Sequence, residues 1–378
     1  MRRRLAISSL GSFVGAAALG AWAPQARAQS AGVADDRIVL GQSAPFSGPS
    51  AQLGLQFNLG AQLHFEAVNA KGGIQGRRIE LQRLDDGYEP ERCVANTRQF
   101  LGQNVFALFG YVGTSTCLEA LPLATEAKVP FFAPFTGAQA LPYAVHVRAS
   151  NFDETAAIVR QVTSVGIRKV AVFHQNDAHG KAGLEGVQRA LQAQNLTPVA
   201  VGTVERNGTE VAAALKDILA ARPEAIVQIG AYKACATFIR LARQQGYLGN
   251  FYNVSLVGTQ ALSDELGAMA KGVVVSQVMP FPYAPVMPLS GDYLAALKDQ
   301  RGVAPNYSGM EGFVAARVFT EALARAGRNL TREGFLNAVE ALQRLNLGGF
   351  PVEFGPKKHT GSRFVELTLL TEDGRVRR

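Results

Sequence analysis

Cysteine, tryptophan and histidine are scarce in this chain: three, one and five among 378 residues. Cys93, Cys117 and Cys235 form no C-x-x-C pair, so the usual framework of a structural zinc site is missing. His174 and His179 lie five apart across a strand end and turn, a spacing that suits a pocket or surface role better than a metal, and no metal is expected. No G-x-S-x-G occurs, which removes the serine-hydrolase elbow. No G-x-x-x-x-G-K-[ST] occurs and no G-x-G-x-x-G follows the first strand-like segment, so neither a nucleotide nor a dinucleotide cradle is indicated and no cofactor is expected. Basic runs interleaved with aromatics are also absent, which argues against nucleic acid as a partner. Beyond residue 28 no apolar run is long enough to cross a membrane.

What is present begins with a segment outside the fold. Residues 1–28 carry arginines at 2–4, an apolar stretch from Leu5 to Ala23 and the small-residue signature Ala26-Arg27-Ala28. They read as an export signal cut after Ala28. Ser8, Ser9, Gly11 and Ser12 interrupt the stretch and argue against an uncut anchor. The arginine pair leaves Sec and twin-arginine export both open, and no cysteine at the cleavage point invites a lipid. The formal charge of +8 falls to +4 once Arg2, Arg3, Arg4 and Arg27 are removed with no acid. Export permits a disulfide. Cys93 and Cys117, near the starts of consecutive predicted helices, either pair or stay free as buried thiols.

The length favours two lobes over one core, and 47% hydrophobic with 18% charged residues is a globular composition. Periodicity alternates strand and helix. The strands DRIVLGQSAPF, RRIELQRLDD, VFALFGYV and VPFFAPF are separated by the helices AQLGLQFNLGAQLHFEAVNAKGG, PERCVANTRQFLGQ and TCLEALPLATEAK. Such order predicts an α/β fold with parallel central sheets covered by helices. The pattern restarts at NFDETAAIVRQVTSVG, with Asp153 as the expected N-cap, and runs through strands RKVAVFHQND, TPVAVGTVE, EAIVQIG, NFYNVSLVG and KGVVVSQVMP with helices between. QVMPFPYAPVMPL, with four prolines, reads as a connection. Helices DYLAALKDQ, GMEGFVAARVFTEALARAG and TREGFLNAVEALQ follow, and strand-like FPVEFGP and RFVELTLLTEDG end the chain.

One junction raises a question of its own. In VFALFGYVGTSTCL an apolar strand stops at Gly113, and Thr114, Ser115 and Thr116 follow where a helix starts. These hydroxyls either cap the helix or, with its unpaired N–H groups and partial positive charge, hold an anion.

GQSAPFSGPSAQLGLQFNLGAQLHFEAVNAKGGIQGRRIELQRLDD, VPFFAPFTGAQAL, VAVFHQNDAHGKAGLEGVQRAL, EGFVAARVFTEAL and GSRFVEL together resemble the leucine/isoleucine/valine-type periplasmic binding proteins, the exported receptors of ABC importers. The resemblance covers essentially the whole mature chain. It implies the type I periplasmic-binding fold: two Rossmann-like lobes joined by a three-crossover hinge, with ligand in the cleft between them. The lobes expected from it are residues 29–151 with 281–357, and 152–280 with 358–378. Crossovers are expected near Asn151, near Pro280 and between Gly355 and Gly361, and closure about the hinge is the expected motion.

The resemblance also implies a ligand site. Thr114 and Ser115 stand where the family binds a ligand carboxylate, and Phe135-Thr136-Gly137 stands at its second ligand loop, with Gly137 in place of a hydroxyl residue. From the second lobe, His179 replaces a tyrosine, Tyr232 matches one, and Ser255 replaces the glutamate that pairs with an α-ammonium. Leu53 replaces an aromatic residue at the pocket mouth. Tyr88 and Gly113 occupy the positions of the family's disulfide, where tyrosine either faces glycine, fills the freed space and borders the ligand, or sits on the surface after the DDG turn. Because serine offers no charge, the carboxylate end is expected to persist while the amine end weakens, which admits aromatic or aliphatic acids, amides or atypical amino acids. The function expected is that of a monomeric, non-catalytic solute receptor delivering a small carboxylate-bearing ligand to an inner-membrane ABC permease. An exported sensor for a signalling partner and an exported enzyme using the same cleft are the alternatives. Asp177 is a further candidate cleft acid.

Overall fold

A computed structural model describes residues 32–138 and 144–378; the expected export signal lies outside them. The first unit holds β1 (Arg37–Ala44), α1 (Ala51–Ala70), β2 (Arg78–Asp85), α2 (Pro90–Gly102), β3 (Ala107–Phe109), α3 (Thr114–Glu126), β4 (Phe131–Phe132) and β5 (Ala144–Val145). The second holds α4 (Asn151–Ser164), β6 (Val170–Gln175), α5 (Ala178–Gln192), β7 (Val201–Val204), α6 (Ala212–Ala220), β8 (Ala225–Ile229), α7 (Tyr232–Gln244), β9 (Asn250–Asn253), α8 (Thr259–Leu266) and β10 (Val273–Gln277). Then come α9 (Pro288–Leu297), α10 (Tyr307–Ala326), α11 (Arg332–Glu340), a small hairpin β11 (Leu345–Asn346) and β12 (Pro351–Val352), and finally β13 (Glu366–Leu370) and β14 (Val376–Arg377).

Two sheets form. One has the order β2-β1-β3-β4-β5 and is parallel throughout, with Leu40 beside Leu81 and Phe109 beside Phe132. The other runs β14-β13-β10-β9-β8-β6-β7. Its strands β7 to β10 are parallel with β6, while β13 and β14 add antiparallel. Every residue of β6 and of β8 is buried, as helices on both faces of a parallel sheet require. Helix α10 returns to the first unit and packs along α1. The chain therefore passes between the units three times: after β5, after β10 and before β13. The first and third passages lie side by side, His146 N donating to His359 O at 2.7 Å and Gly361 N to His146 O at 2.8 Å.

Local chemistry revises several sequence-based boundaries. The strand expected over 105–112 shrinks to three residues because Gly110 adopts φ 64°, outside the β region. Asp153 is not the N-cap of α4. Ser150 is, and Asp153 closes a capping box from the third helical position, accepting from Ser150 N at 3.0 Å while donating its own N–H to Ser150 Oγ at 3.1 Å. Helix α5 starts earlier than its apolar periodicity suggests, since Asp177 caps it by accepting from Gly180 N. Helix α8, two turns bounded by Gly258 and Gly267, is too short to leave a periodic trace.

Candidate functional site

The site lies where the two units face each other beyond the carboxyl ends of their parallel strands, the place ligands take in open α/β sheets. Helix α3 begins there directly at Thr114. Its N-cap is Gly113, at φ 96°, and no side chain caps the first turn. Gly113 O accepts the first helical bond, from Cys117 N at 3.2 Å. The three hydroxyls do other things. Thr116 turns back to the carbonyls of Val112 and Gly113. Thr114 Oγ1 meets Thr136 Oγ1 at 2.6 Å in a buried contact. Ser115 Oγ crosses to the other unit and donates to Asp177 Oδ2 at 2.8 Å. The N–H groups of Thr114, Ser115 and Thr116 thus have no capping side chain among the described residues. That leaves an uncapped, partly positive helix end.

Tyr88 walls this end. It is buried at φ 68°, and a Cβ built on Gly113 would fall 2.4 Å from its ring. Its hydroxyl is buried without a partner. Burial drives that phenol's pKa upward, and the nearby Asp177 charge adds to the effect. The opposite wall comes from the end of β6 and the start of α5. Gln175 Nε2 donates to Asp177 Oδ2 at 2.6 Å. His179 is fully buried with neither ring nitrogen partnered, and burial pushes its pKa down to about 4, against the pull of Asp177. The imidazole is therefore neutral near pH 7, with one donor and one acceptor to offer.

The third side is a buried charge cluster at the hinge. Arg148, on the first passage, is 1% exposed. It donates to Glu154 Oε1 of α4 at 3.1 Å, to Glu311 of α10 at 3.3 and 3.4 Å, and to Ser255 Oγ. Its guanidinium stands 5.1 Å from the centre of the Phe135 ring, a cation–π geometry. Glu154 Oε2 also accepts from Ser255 N at 2.7 Å and Ser276 Oγ at 2.6 Å. Among the described residues Arg148 is the one side chain that donates to Glu311, and burial raises its pKa to about 7. Between Gly137, His146, Arg148, Ser150 and the third passage lies a cavity of about 290 Å³.

At the mouth the two units touch directly. Asn207 Nδ2 donates to Gly87 O at 2.9 Å and to Glu89 Oε1 at 2.8 Å, while Asn207 Oδ1 accepts from Ser50 Oγ at 3.1 Å. Arg206 pairs with Glu89 at 2.8 Å. Leu53 packs against Gly258, and Tyr232 Oη lies 3.5 Å from Gln52 N. The lobes are closed on each other.

Thr114 is thus tied to Thr136, Ser115 to Asp177 two positions before the buried His179, and Phe135 and Ser255 to Arg148, with Tyr88 against Gly113 at the helix end and Leu53 and Tyr232 at the mouth. Gly137 brings no side chain; its carbonyl accepts from Asn151 N at 2.8 Å. Cys93 and Cys117 share a small core cluster as free thiols, and Cys235 is a third; the Cys93–Cys117 disulfide is not formed. Among the described residues no group of three or more histidine, cysteine or acidic side chains could hold a metal, and no helix is long and apolar enough to cross a membrane. Sequence reasoning missed Arg148, Glu154, Gln175 and Glu311. The one charge in the apolar run AVHVRAS was the available signal for Arg148.

Comparison with known proteins agrees with this geometry. A sequence family described as periplasmic binding protein matches residues 37–375. A Leu/Ile/Val-binding protein homolog 3 of Brucella melitensis is 26% identical over 309 residues, 79% of this chain and 81% of that protein. A crystal structure from Rhodopirellula baltica, of "a possible leucine/isoleucine/valine-binding protein", superposes with TM-score 0.87 at 32% identity, covering 89% of this chain and 95% of the other. A substrate-binding periplasmic protein from Ralstonia solanacearum superposes with TM-score 0.85 at 32% identity, covering 90% and 99%.

Proposed function

Because the chain belongs to the periplasmic binding protein family, we propose that it is an exported receptor that closes its lobes on a small carboxylate-bearing solute and passes it to an ABC permease. In this reading it is monomeric and leaves its ligand chemically unchanged. Its export signal ends at Ala28. Its lobes comprise residues 29–151 with 281–357 and 152–280 with 358–378.

One observation carries the ligand class. The start of α3 has no side-chain cap and lies beside the buried Thr114–Thr136 hydroxyl pair, where Ser115 bridges to Asp177 of the other lobe. N–H and O–H donors around a desolvated carboxylate make strong, charge-assisted hydrogen bonds. The family's amide-rich helix start would be filled by the ligand rather than by a capping side chain. In this reading Ser115 and Asp177, in contact at 2.8 Å, tie the lobes together and do not act as nucleophile and base. The neutral His179 and Ser255 are on separate elements, and Ser255 Oγ is occupied by Arg148.

The test is a thermal-shift screen of aliphatic, aromatic and dicarboxylic acids, followed by calorimetry on the hits. A ligand that binds only the folded state raises the melting temperature. Thr114→Val is expected to weaken the best acid by about tenfold or more. Failure of every acid to bind, or chemical turnover of one, would remove this reading.

A further inference from the structure

The hinge end of the chamber is chemically unlike the α3 end, and counting its donors and acceptors tells what it can still bind. Glu154 is spent: Arg148, Ser255 N and Ser276 Oγ occupy both its oxygens. Glu311 turns both oxygens to Arg148, and the space beside it, between Phe135, Ser255 and Tyr307, holds only about 10 Å³, room for at most one water. Ser255 Oγ is taken by Arg148. Each carboxylate oxygen that an ammonium group could pair with here already has a donor, and the acceptors left without one, Asn151 Oδ1 and Asn253 Oδ1, are neutral amides.

The donors are not. A guanidinium has five N–H groups. The two terminal nitrogens serve the four contacts just described. Arg148 Nε is buried with no partner. His179 is buried and has two ring nitrogens without a partner among the described residues. Arg148 is joined to the α3 end by a short path: its guanidinium stacks on Phe135, Phe135 precedes Thr136, and Thr136 touches Thr114. A cation is thus fixed a few side chains from the helix start, inside the same enclosure.

We infer that Arg148 sets the ligand class, selecting acids whose second polar group is a hydrogen-bond acceptor, such as a 2-oxo group or a second carboxylate, and rejecting those that carry an ammonium there. This rests on the solute-receptor reading and narrows it. An ammonium placed at this end would meet a buried guanidinium of like charge and no free acceptor of opposite charge. An oxo or carboxylate oxygen would meet N–H groups that are otherwise left unpaired, and leaving such groups unpaired costs more than the average hydrogen bond gains. Phe135 and the two glutamates hold the guanidinium in place, so a ligand would meet a donor that is already ordered.

Matched pairs test this directly on the wild-type protein: 4-methyl-2-oxopentanoate against leucine, phenylpyruvate against phenylalanine, and 2-oxoglutarate against glutamate, by calorimetry at pH 7. The expected result is that the oxo member of the pair that fits binds about tenfold or more tighter than its amino partner. Arg148→Met is expected to erase that preference, and Arg148→Lys, which keeps the charge but not the planar fork, to retain part of it. An amino acid that binds as tightly as its oxo counterpart, or tighter, overturns the inference and leaves the receptor reading standing. Absence of binding by every acid, oxo or amino, overturns both. Should the Arg148 variants fail to fold, the wild-type pair comparison decides alone.

Discussion

The ring of Tyr88 occupies the space that any side chain at Gly113 would need, with 2.4 Å between its Cε2 and a Cβ built on that glycine. Both residues have positive φ, 68° and 96°. The pair forms one unit: glycine frees the start of α3 from a side chain, and tyrosine fills the volume and ends in a hydroxyl with no partner. Gly113→Ala brings a clash with buried aromatic atoms and a strained backbone. It is expected to cost about 2 kcal/mol or more of stability, read as a lower urea midpoint with unchanged slope. An unaltered midpoint would show that the ring moves aside freely.

Tyr88→Phe separates ligand contact from packing. The phenol oxygen is buried beside Gln175 with no hydrogen-bond partner in place among the described residues, so removing it is expected to leave stability unchanged or raise it by up to about 1 kcal/mol. If the hydroxyl meets the ligand, the same change lowers affinity. Denaturation of the free protein and calorimetry with the best ligand give the two numbers, and a variant that is less stable but binds normally would contradict this account.

Asn207 clasps the closed lobes without facing the helix start. It makes three hydrogen bonds across the mouth, to Ser50, Gly87 and Glu89, and its φ of 59° is one that asparagine tolerates well. Asn207→Gly keeps the backbone and removes the clasp. Ligand affinity is expected to fall about five- to thirtyfold, or about 1–2 kcal/mol, mostly through faster release, measurable by stopped-flow displacement. Unchanged release would mean that the clasp does not bias closure.

Glu311 should leave a mark on stability against pH. Its folded pKa is raised to about 7 from 4.5 by burial, with Arg148 opposing and Glu154 adding to the rise. Between those values the folded chain keeps a proton that the unfolded chain has released. The contribution of this group is therefore complete below about pH 4.5 and is lost as pH climbs through about 7. The slope approaches about 1.4 kcal/mol per pH unit for one proton. His64 and His179, both depressed to about 4 by burial, act with the opposite sign between about 4 and 6.5. The comparison of Glu311→Gln with wild type isolates the glutamate. The variant is expected to gain relative stability steadily from pH 5 to pH 7; parallel curves would refute the assignment.

Much of the fold was legible because its signals are local. Alternating apolar strands and amphipathic helices gave the parallel α/β order, and β1, α1, β2 and α2 lie within a few residues of where their patterns put them. Asp153 and α5 show the limit of that reading: caps shift a boundary by one to three residues when a neighbouring side chain competes for the same N–H groups. The site was legible in part, through residues whose type is unusual at a strand end: Thr114, Ser115, His179 and Ser255. What no local pattern at Ser255 records is the charge gathered beside it, where Glu154 and Glu311 both come to Arg148.

The sequence by itself determined the order of strands and helices, the small-residue start of α3 and the lack of catalytic or metal-binding patterns, because each depends on neighbours within a turn or two. Tertiary structure alone decided that Arg148, Glu154, Ser255 and Glu311, up to 163 positions apart, form one buried cluster. It also decided that the hydroxyls of Thr114 and Ser115 turn to Thr136 and Asp177 rather than to their own helix. Such partners are chosen by which groups are left without water when two lobes close, and no local pattern records that choice.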